Sequence, residues 1–514
     1  MKKSIILVFT VILSVFSGFA TETDFSMESL LPPNADAFMR STTLTRLISS
    51  FENYKNMDIL SDDSAIMKFY SNMKSKSGTD ILDKQSLQKE GLDLSRGFGF
   101  AFIDGASANT KSYYLLIPVT DAGKFSIFFA NILLKMDMRK KRDLYPAPIP
   151  YKNFKIDQIG KDIFTTSIKN YFVICSSGVL ARSVIDRGLE VKDNLSIDAI
   201  YLNYKQQSAK AEDVSLFVRG SYAAKKISEK YVKRSEQNKS FKALDFVQMS
   251  LNLEKTNLSC KLNGSFKKSD STANNFLNIF SSGLQDMALY DRDSILYSFI
   301  SIDLKLFDKF LPGSVWNEKY SKMLKQFTDD YGVSFRDDFI QNSHGVLNIL
   351  MNDYAKSEKV FFIPMSDSTK SLALYGKIKT HIEKKYKLDS GLEPVDKTQS
   401  AAYFVDEMKE KQYIFCDKRG FYFGNSLALI KKAFERPYLR LNNKNTDIYK
   451  RIADENASVF LKIKNDPVIP LTLTLTDDAE PRTMVGISNL NFSVKKNGND
   501  IHVNTDISFS RPRR

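Results

Sequence analysis

The chain has 514 residues and a mass of 58.6 kDa, with 43% hydrophobic and 26% charged side chains and a formal net charge of +14. That balance excludes wholesale disorder, a collagen-like repeat and a polytopic membrane protein, and the length suffices for two or more domains with sizeable cores. Three histidines, three cysteines and one tryptophan leave few of the residues that usually carry polar chemistry.

Residues 1–20 read as a secretory signal. Lys2 and Lys3 form a basic start, Ile5 to Phe16 is apolar apart from Thr10 and Ser14, and Gly18-Phe19-Ala20 places small residues where signal peptidase reads them. The apolar stretch falls short of the roughly 20 residues a spanning helix needs, and the alternative is an uncleaved N-terminal anchor. No cysteine lies near the expected cut, so a lipid-anchored form is not expected, and no later segment reads as a span. Removing the two signal lysines takes the charge from +14 to +12.

Ala37 to Thr43 has the pattern of a strand leading into a helix with Leu44, Leu47 and Phe51 on one face. Tyr113 to Val119 is a second strand, in which Pro118 implies an edge or exit position. Phe125, Phe128, Phe129, Ile132, Leu133 and Met136 recur at helical spacing, and Pro146 to Pro150 reads as an extended linker. Ile163 to Ser167 and Tyr171 to Cys175 form a hairpin, after which Ser177 caps a short helix. Lys225 to Lys239 reads as a solvated helix. Met249, Leu251 and Leu253, then Leu258, Cys260 and Leu262, alternate with polar residues as a cleaner hairpin.

The second part of the chain repeats this order. Phe172 to Arg187 lies over Phe421 to Arg436 without a gap, an offset of 249, with Ser177 on Ser426. Leu115 to Asp121 matches Phe361 to Asp367 at 246, Gly91 matches Gly332 at 241, and Ser215 to Arg219 matches Ser458 to Lys462 at 243. Leu296, Leu304 and Phe307 stand in for the first strand and helix. Leu490, Phe492 and Val494 precede Asn497-Gly498, a favoured tight-turn pair, and Ile501, Val503, Ile507 and Phe509 return. Matches in one order with slowly drifting offsets predict two tandem, divergent copies of one module. Hairpins mixed with amphipathic helices make its class α+β, antiparallel sheet packed with helices. The expected organisation is a signal at 1–20, a first repeat over 21–285 and a second over 286–514.

No constellation for catalysis stands out. His344 in a turn before Gly345, His381 in a Lys-rich stretch that reads as exposed, and His502 alternating outward in a final strand have no counterparts in the other copy, and each reads as a surface or structural residue. Gly424-Asn-Ser426 lacks the closing glycine of a nucleophile elbow, and Gly97-Phe-Gly99 lacks the third glycine of a dinucleotide loop. There is no paired-cysteine motif or His pair for a metal, and Asp329-Asp330, Asp337-Asp338 and Asp477-Asp478 read as solvated acidic turns. The expectation is therefore no catalytic residue, no metal and no cofactor. Cys175, Cys260 and Cys416 are odd in number and read as small buried apolar residues, one incidental pair being the alternative.

The basic excess is spread out. Its densest run, Arg139, Lys140, Lys141 and Arg142, is a candidate anionic-surface contact. Further runs lie at Lys377 to Lys387 and Arg511 to Arg514. In an exported chain the expected partner is anionic lipid, an envelope polymer or an acidic protein, and not nucleic acid. An unremarkable lysine-rich surface is the alternative.

Leu30-Leu-Pro-Pro-Asn-Ala-Asp-Ala-Phe38 and Gly420-Phe-Tyr-Phe-Gly-Asn-Ser426 carry a resemblance. The chain resembles an uncharacterised bacterial family of exported proteins, a domain of unknown function with a Leu-Pro-x-Asn-Ala-like start after the signal peptide. Met39 to Thr43 is more polar than that family's usual strand. The resemblance implies export to the periplasm or beyond and a fold, without a mechanism. The function expected is a non-catalytic envelope protein with a binding or structural role. The alternative is a carrier of an apolar ligand such as lipid, with an exported hydrolase a further option. Oligomeric state is left open.

Overall fold

The computed structural model describes residues 26–56, 70–71, 74–75, 78, 80, 82–104, 111–135, 148–160, 162–190, 193–207, 212–231, 241–254, 256–267, 269–280, 296–310, 317–353, 358–435, 457–464, 471–473, 482–484 and 487–509. The signal at 1–20, the module boundary near 285 and Arg139 to Arg142 lie outside the described residues.

Apolar alternation sets the strands and 3.6-residue spacing sets the helices. In chain order they are β1 (Ala37–Ser41), α1 (Leu44–Asn56), α2 (Lys84–Lys89), β2 (Gly99–Asp104), β3 (Lys111–Pro118), α3 (Ala122–Lys135), β4 (Ile149–Tyr151), β5 (Phe154–Ile159), β6 (Ile163–Ile168), β7 (Tyr171–Cys175), α4 (Gly178–Leu189), α5 (Ala199–Gln207), β8 (Val214–Arg219), α6 (Gly220–Tyr231), β9 (Leu244–Leu253), β10 (Asn257–Phe266) and α7 (Ser271–Asn278). There follow β11 (Leu296–Ser301), α8 (Leu304–Phe310), α9 (Asn317–Tyr331), β12 (Val346–Asp353), β13 (Glu358–Pro364), α10 (Ser368–Tyr386), β14 (Ser390–Pro394), β15 (Ser400–Val405), β16 (Lys411–Asp417), β17 (Gly420–Gly424), α11 (Leu427–Glu435) and β18 (Val459–Lys464). The chain closes with β19 (Leu471–Leu473), β20 (Arg482–Met484), β21 (Ile487–Asn497) and β22 (Asp500–Phe509).

All but β19 and β20 belong to one 20-stranded sheet. Every pairing is antiparallel, and the spatial order is β4-β5-β6-β7-β3-β2-β1-β8-β9-β10, then β22-β21-β18-β11-β12-β13-β17-β16-β15-β14. Read outward from its centre, each half runs hairpin, early strands, hairpin in the same sequence of pairings. Leu115 faces Ile174 and Phe361 faces Phe423, so the offsets 246 and 249 land on equivalent pairs. At the centre β10 meets β22, with Leu258 opposite Ile507, Cys260 opposite Thr505 and Gly264 opposite Ile501. Shifting one strand by 243 residues turns this register into itself, about the Lys261–Asn504 pair.

Helices cover both sides toward the ends of the sheet. On one side α1 and α3 enclose Leu47, Phe51, Phe125, Phe129, Phe172 and Ile174, and α10 encloses Ile378, Ile414, Phe421 and Phe423. On the other, α4 and α5 bury Val184, Ile185, Tyr201 and Tyr204 on Phe38, Phe217 and Phe246, while α11 buries Leu429 and Ile430 on Phe362 and Tyr422. Ser177 and Ser426 cap their helices by accepting from the backbone N–H groups of Leu180 and Leu429. Gly91 and Gly332, aligned in the sequence, both take left-handed φ values of 88° and 69°.

Two expectations change and one is resolved. Ile149–Tyr151 is a strand paired to β5, not a linker, and lies at the sheet's edge, where Pro150 is tolerated. Pro118 closes a strand flanked on both sides, so it marks an exit and not an edge. Cys260 is half-buried in the centre of the sheet, whereas Cys175 and Cys416 are buried as expected.

The seam joins residues 245 positions apart, which a crosslink can report. Thr505→Cys sets a thiol directly opposite Cys260, at the Cα separation of facing antiparallel residues that a disulfide accepts. Mild oxidation of this variant should give a monomeric species of altered mobility on non-reducing gels. No shift in the oxidised sample would contradict the β10–β22 pairing.

Candidate functional site

His344 lies in the loop before β12, His381 in α10 and His502 in β22, three separate elements. His381 is half-buried, not exposed as expected, and its ring lies where a Cβ on Gly332 would fall. His502 also points into partial cover, its Nδ1 2.7 Å from Asn263 Oδ1, and burial pushes its imidazole below the usual value. Among the described residues no group of three or more His, Cys, Asp or Glu side chains is placed to hold a metal. Asp330 accepts from Lys385 Nζ and Tyr386 OH, and Asp337 and Asp338 accept from the Ser334 hydroxyl and backbone N–H. Asp477-Asp478 lies outside the described residues.

The two halves of the polar core that look most reactive are closed. Glu28, 4% exposed, meets Arg40 at 3.0 Å, accepts from Tyr201 OH at 3.0 Å and from Ser26 Oγ. Burial alone would push its carboxyl up; the Arg40 charge and the Ser26 hydrogen bond outweigh this and hold it below the ordinary 4.5. Asp213 is fully buried, 2.9 Å from Arg46, and accepts from the Leu253 N–H at 2.6 Å, which ties β8 to the end of β9. Both carboxylates are engaged inside the core, Glu28 by an ion pair and two hydroxyls and Asp213 by an ion pair and a backbone N–H.

The open feature is apolar. Facing residues in an antiparallel pair lie on one side of a sheet, so the registers define a continuous face across the middle strands. It runs through Leu216 in β8, Met249 in β9, Leu258, Cys260 and Leu262 in β10, Val503, Thr505 and Ile507 in β22, Leu490 and Phe492 in β21, and Leu461 in β18. All are half-exposed except Leu262, which is 39% exposed. The opposite side of the same strands carries Gln248, Ser250, Asn263, Asn504 and Asp506. Thus the aliphatic side is the wetter one over part of β9, where Gln248 and Ser250 are buried.

This floor has raised borders. α1 packs on its first-half side, with Leu251 and Leu253 against the α1 and α3 core and Ser50 Oγ donating to Leu253 O at 3.2 Å. α6 and α7 close one end over Val218, Val247 and Ile501. On the second-half side Leu347 and Phe361 run under the α10 core. Period-two alternation marks an apolar face on each hairpin; that the two hairpins adjoin and that their face is left half-exposed have no signature in the sequence.

The basic candidate residues Arg139, Lys140, Lys141 and Arg142 lie outside the described residues, as does Arg511 to Arg514. Lys377 to Lys387 runs along α10, where Lys377, Lys384 and Lys387 are exposed and Lys385 pairs with Asp330. Among the described residues no helix is long and apolar enough to cross a membrane.

Two expectations follow from burial. Burial raises all three thiols: Cys175 most strongly, Cys416 to about 12 with Asp417 adding to the rise, and Cys260 to a lesser degree. In lipid-free native protein, alkylation at pH 8 followed by mass spectrometry should modify Cys260 alone, and all three after denaturation. For Glu28, a depressed carboxyl contributes stability above the ordinary 4.5 that drains away as the pH falls through the lower folded-state value. Glu28→Gln should therefore cost about 3 kcal/mol at pH 7 in urea unfolding, a deficit that narrows in acid.

No protein-family model matches the sequence, and no curated protein matches it. Solved structures of the protein TP0453 superpose on part of it. Crystal form III gives a TM-score of 0.27 at 11% identity over 50% of this chain and 86% of that one. Crystal form IV gives 0.28 at 8% over 46% and 79%. A superposition this loose settles neither fold nor function.

Proposed function

We propose that the chain is an exported, non-catalytic protein of a bacterial cell envelope, built as a tandem repeat and acting by binding. The observation that carries this reading is the half-exposed aliphatic floor where the two halves of the sheet meet, set against polar clusters that are closed. Basic n-region, apolar stretch and small residues within positions 1–20 support export. The identical pairing order of the two halves, with equivalent residues at offsets of 243 to 249, supports duplication.

Two modules joined edge to edge present a surface neither has alone, which suits recognition more than reaction. The aliphatic lining favours a second, narrower reading, a carrier of an apolar ligand such as lipid. Anionic lipid, an envelope polymer or an acidic protein remain the partners suggested by the basic excess. Expression with the native N-terminus, followed by fractionation, should place a chain shortened by about 20 residues outside the cytoplasm. A broad panel of esterase, glycosidase, peptidase and phosphatase substrates should give no turnover. Sustained turnover that survives repurification would overturn the reading.

A further inference from the structure

We propose that the aliphatic floor seats a diacyl lipid, its two chains lying across β9, β10, β22 and β21 between the bordering helices. The inference rests on the reading of the chain as an exported binding protein and adds the site and the ligand class.

The lining selects the chemistry. Met249, Leu258, Leu262, Val503, Ile507 and Phe492 offer carbon surface, and only the Thr505 hydroxyl and the Cys260 thiol interrupt it. A sugar, peptide or nucleotide laid there would lose water and find almost no hydrogen-bond partner, whereas an acyl chain has none to lose. Dimensions agree. Six strands from β8 to β18 span roughly 24 Å, and Leu258 to Leu262 covers about 13 Å along a strand. One leaflet of a bilayer's ~30 Å hydrocarbon core sets acyl length at roughly 15 Å, so two chains fit side by side.

The borders select against the other occupants. A second copy of this sheet would have to pass α1, α6 and α7 to reach the floor, because those helices pack on the same side. The polar reverse side, with Asn263, Asn504 and Asp506, confines the lipid to one face.

Cys260 supplies the reporter, being the half-exposed cysteine and part of the floor. Full-length protein shown by native mass spectrometry to be free of co-purified lipid is incubated with vesicles of equal dioleoyl phosphatidylcholine and phosphatidylglycerol, then re-isolated. The expected result is one diacyl lipid per chain and alkylation of Cys260 slowed at least tenfold. Leu262→Lys combined with Val503→Lys should cut lipid occupancy at least tenfold with an unchanged circular dichroism spectrum. The wild-type thiol measurement stands on its own if that variant fails to fold.

Lipid retained while Cys260 reacts at its unliganded rate would put the site elsewhere and overturn the inference, leaving a binding protein intact. No lipid taken up at all would overturn it too. Cys260 protected without lipid would name another occupant: a second copy if sedimentation shows a dimer, the chain's own residues if it shows a monomer. Turnover in the substrate panel strikes at the underlying reading instead, whatever the lipid measurements give.

Discussion

The structure depends on the antiparallel pairing of β10 with β22. Without it there would be two ten-stranded sheets, each ending in a bare ladder of N–H and C=O groups; with it there is one sheet of twenty. The pairing is nine residues long, from Asn257 opposite Ser508 to Ser265 opposite Asp500. Its register repeats itself about Lys261 and Asn504, so each strand offers the other what it receives, as in an isologous contact between subunits. Here the partner is tethered in the same chain, which removes the concentration dependence such a contact ordinarily has.

The same pairing decides where apolar surface is left over. Helices follow strands in both halves and cover the sheet toward its ends, but the middle strands arise from long hairpins that lead directly back into the sheet. Alternation gives these hairpins a carbon face whether or not a helix comes to lie on it. The consequence is a band of aliphatic residues between helical borders, while the charged residues of the interior, Glu28 with Arg40 and Asp213 with Arg46, are consumed in fastening the first strands and the β8–β9 corner.

Local features were legible in the sequence. The β6–β7 hairpin, both serine caps, the phenylalanine face of α3 and the turn after Asn497 all follow from short-range rules, because the residues that decide them are neighbours. Leu44, Leu47 and Phe51 are buried as their spacing implies. Features set by distant partners were not legible. Pro150 disguised β4, since proline is depleted in strands generally and tolerated at an edge that only the assembled sheet defines. Cys260 was read as buried because its strand alternates cleanly, yet alternation says which face is apolar and not what covers it. Nothing near residue 260 records that its partner is residue 505. His381 and His502 are more enclosed than their lysine-rich and alternating surroundings implied, because the cover comes from elements distant in the sequence.

The remaining edges of the sheet are short: β4 has three residues with Pro150, and β14 has five ending in Pro394. A proline cannot donate to an incoming strand, so lateral growth into fibres is discouraged at both rims. The inner rim has no such guard until synthesis is complete. Synthesis from the N-terminus delivers β10 some 234 residues ahead of β22, and during that interval a ladder nine residues long lacks its partner strand. That interval is therefore the period of greatest hazard for this chain, and a holding chaperone would find its natural target at the end of the first half.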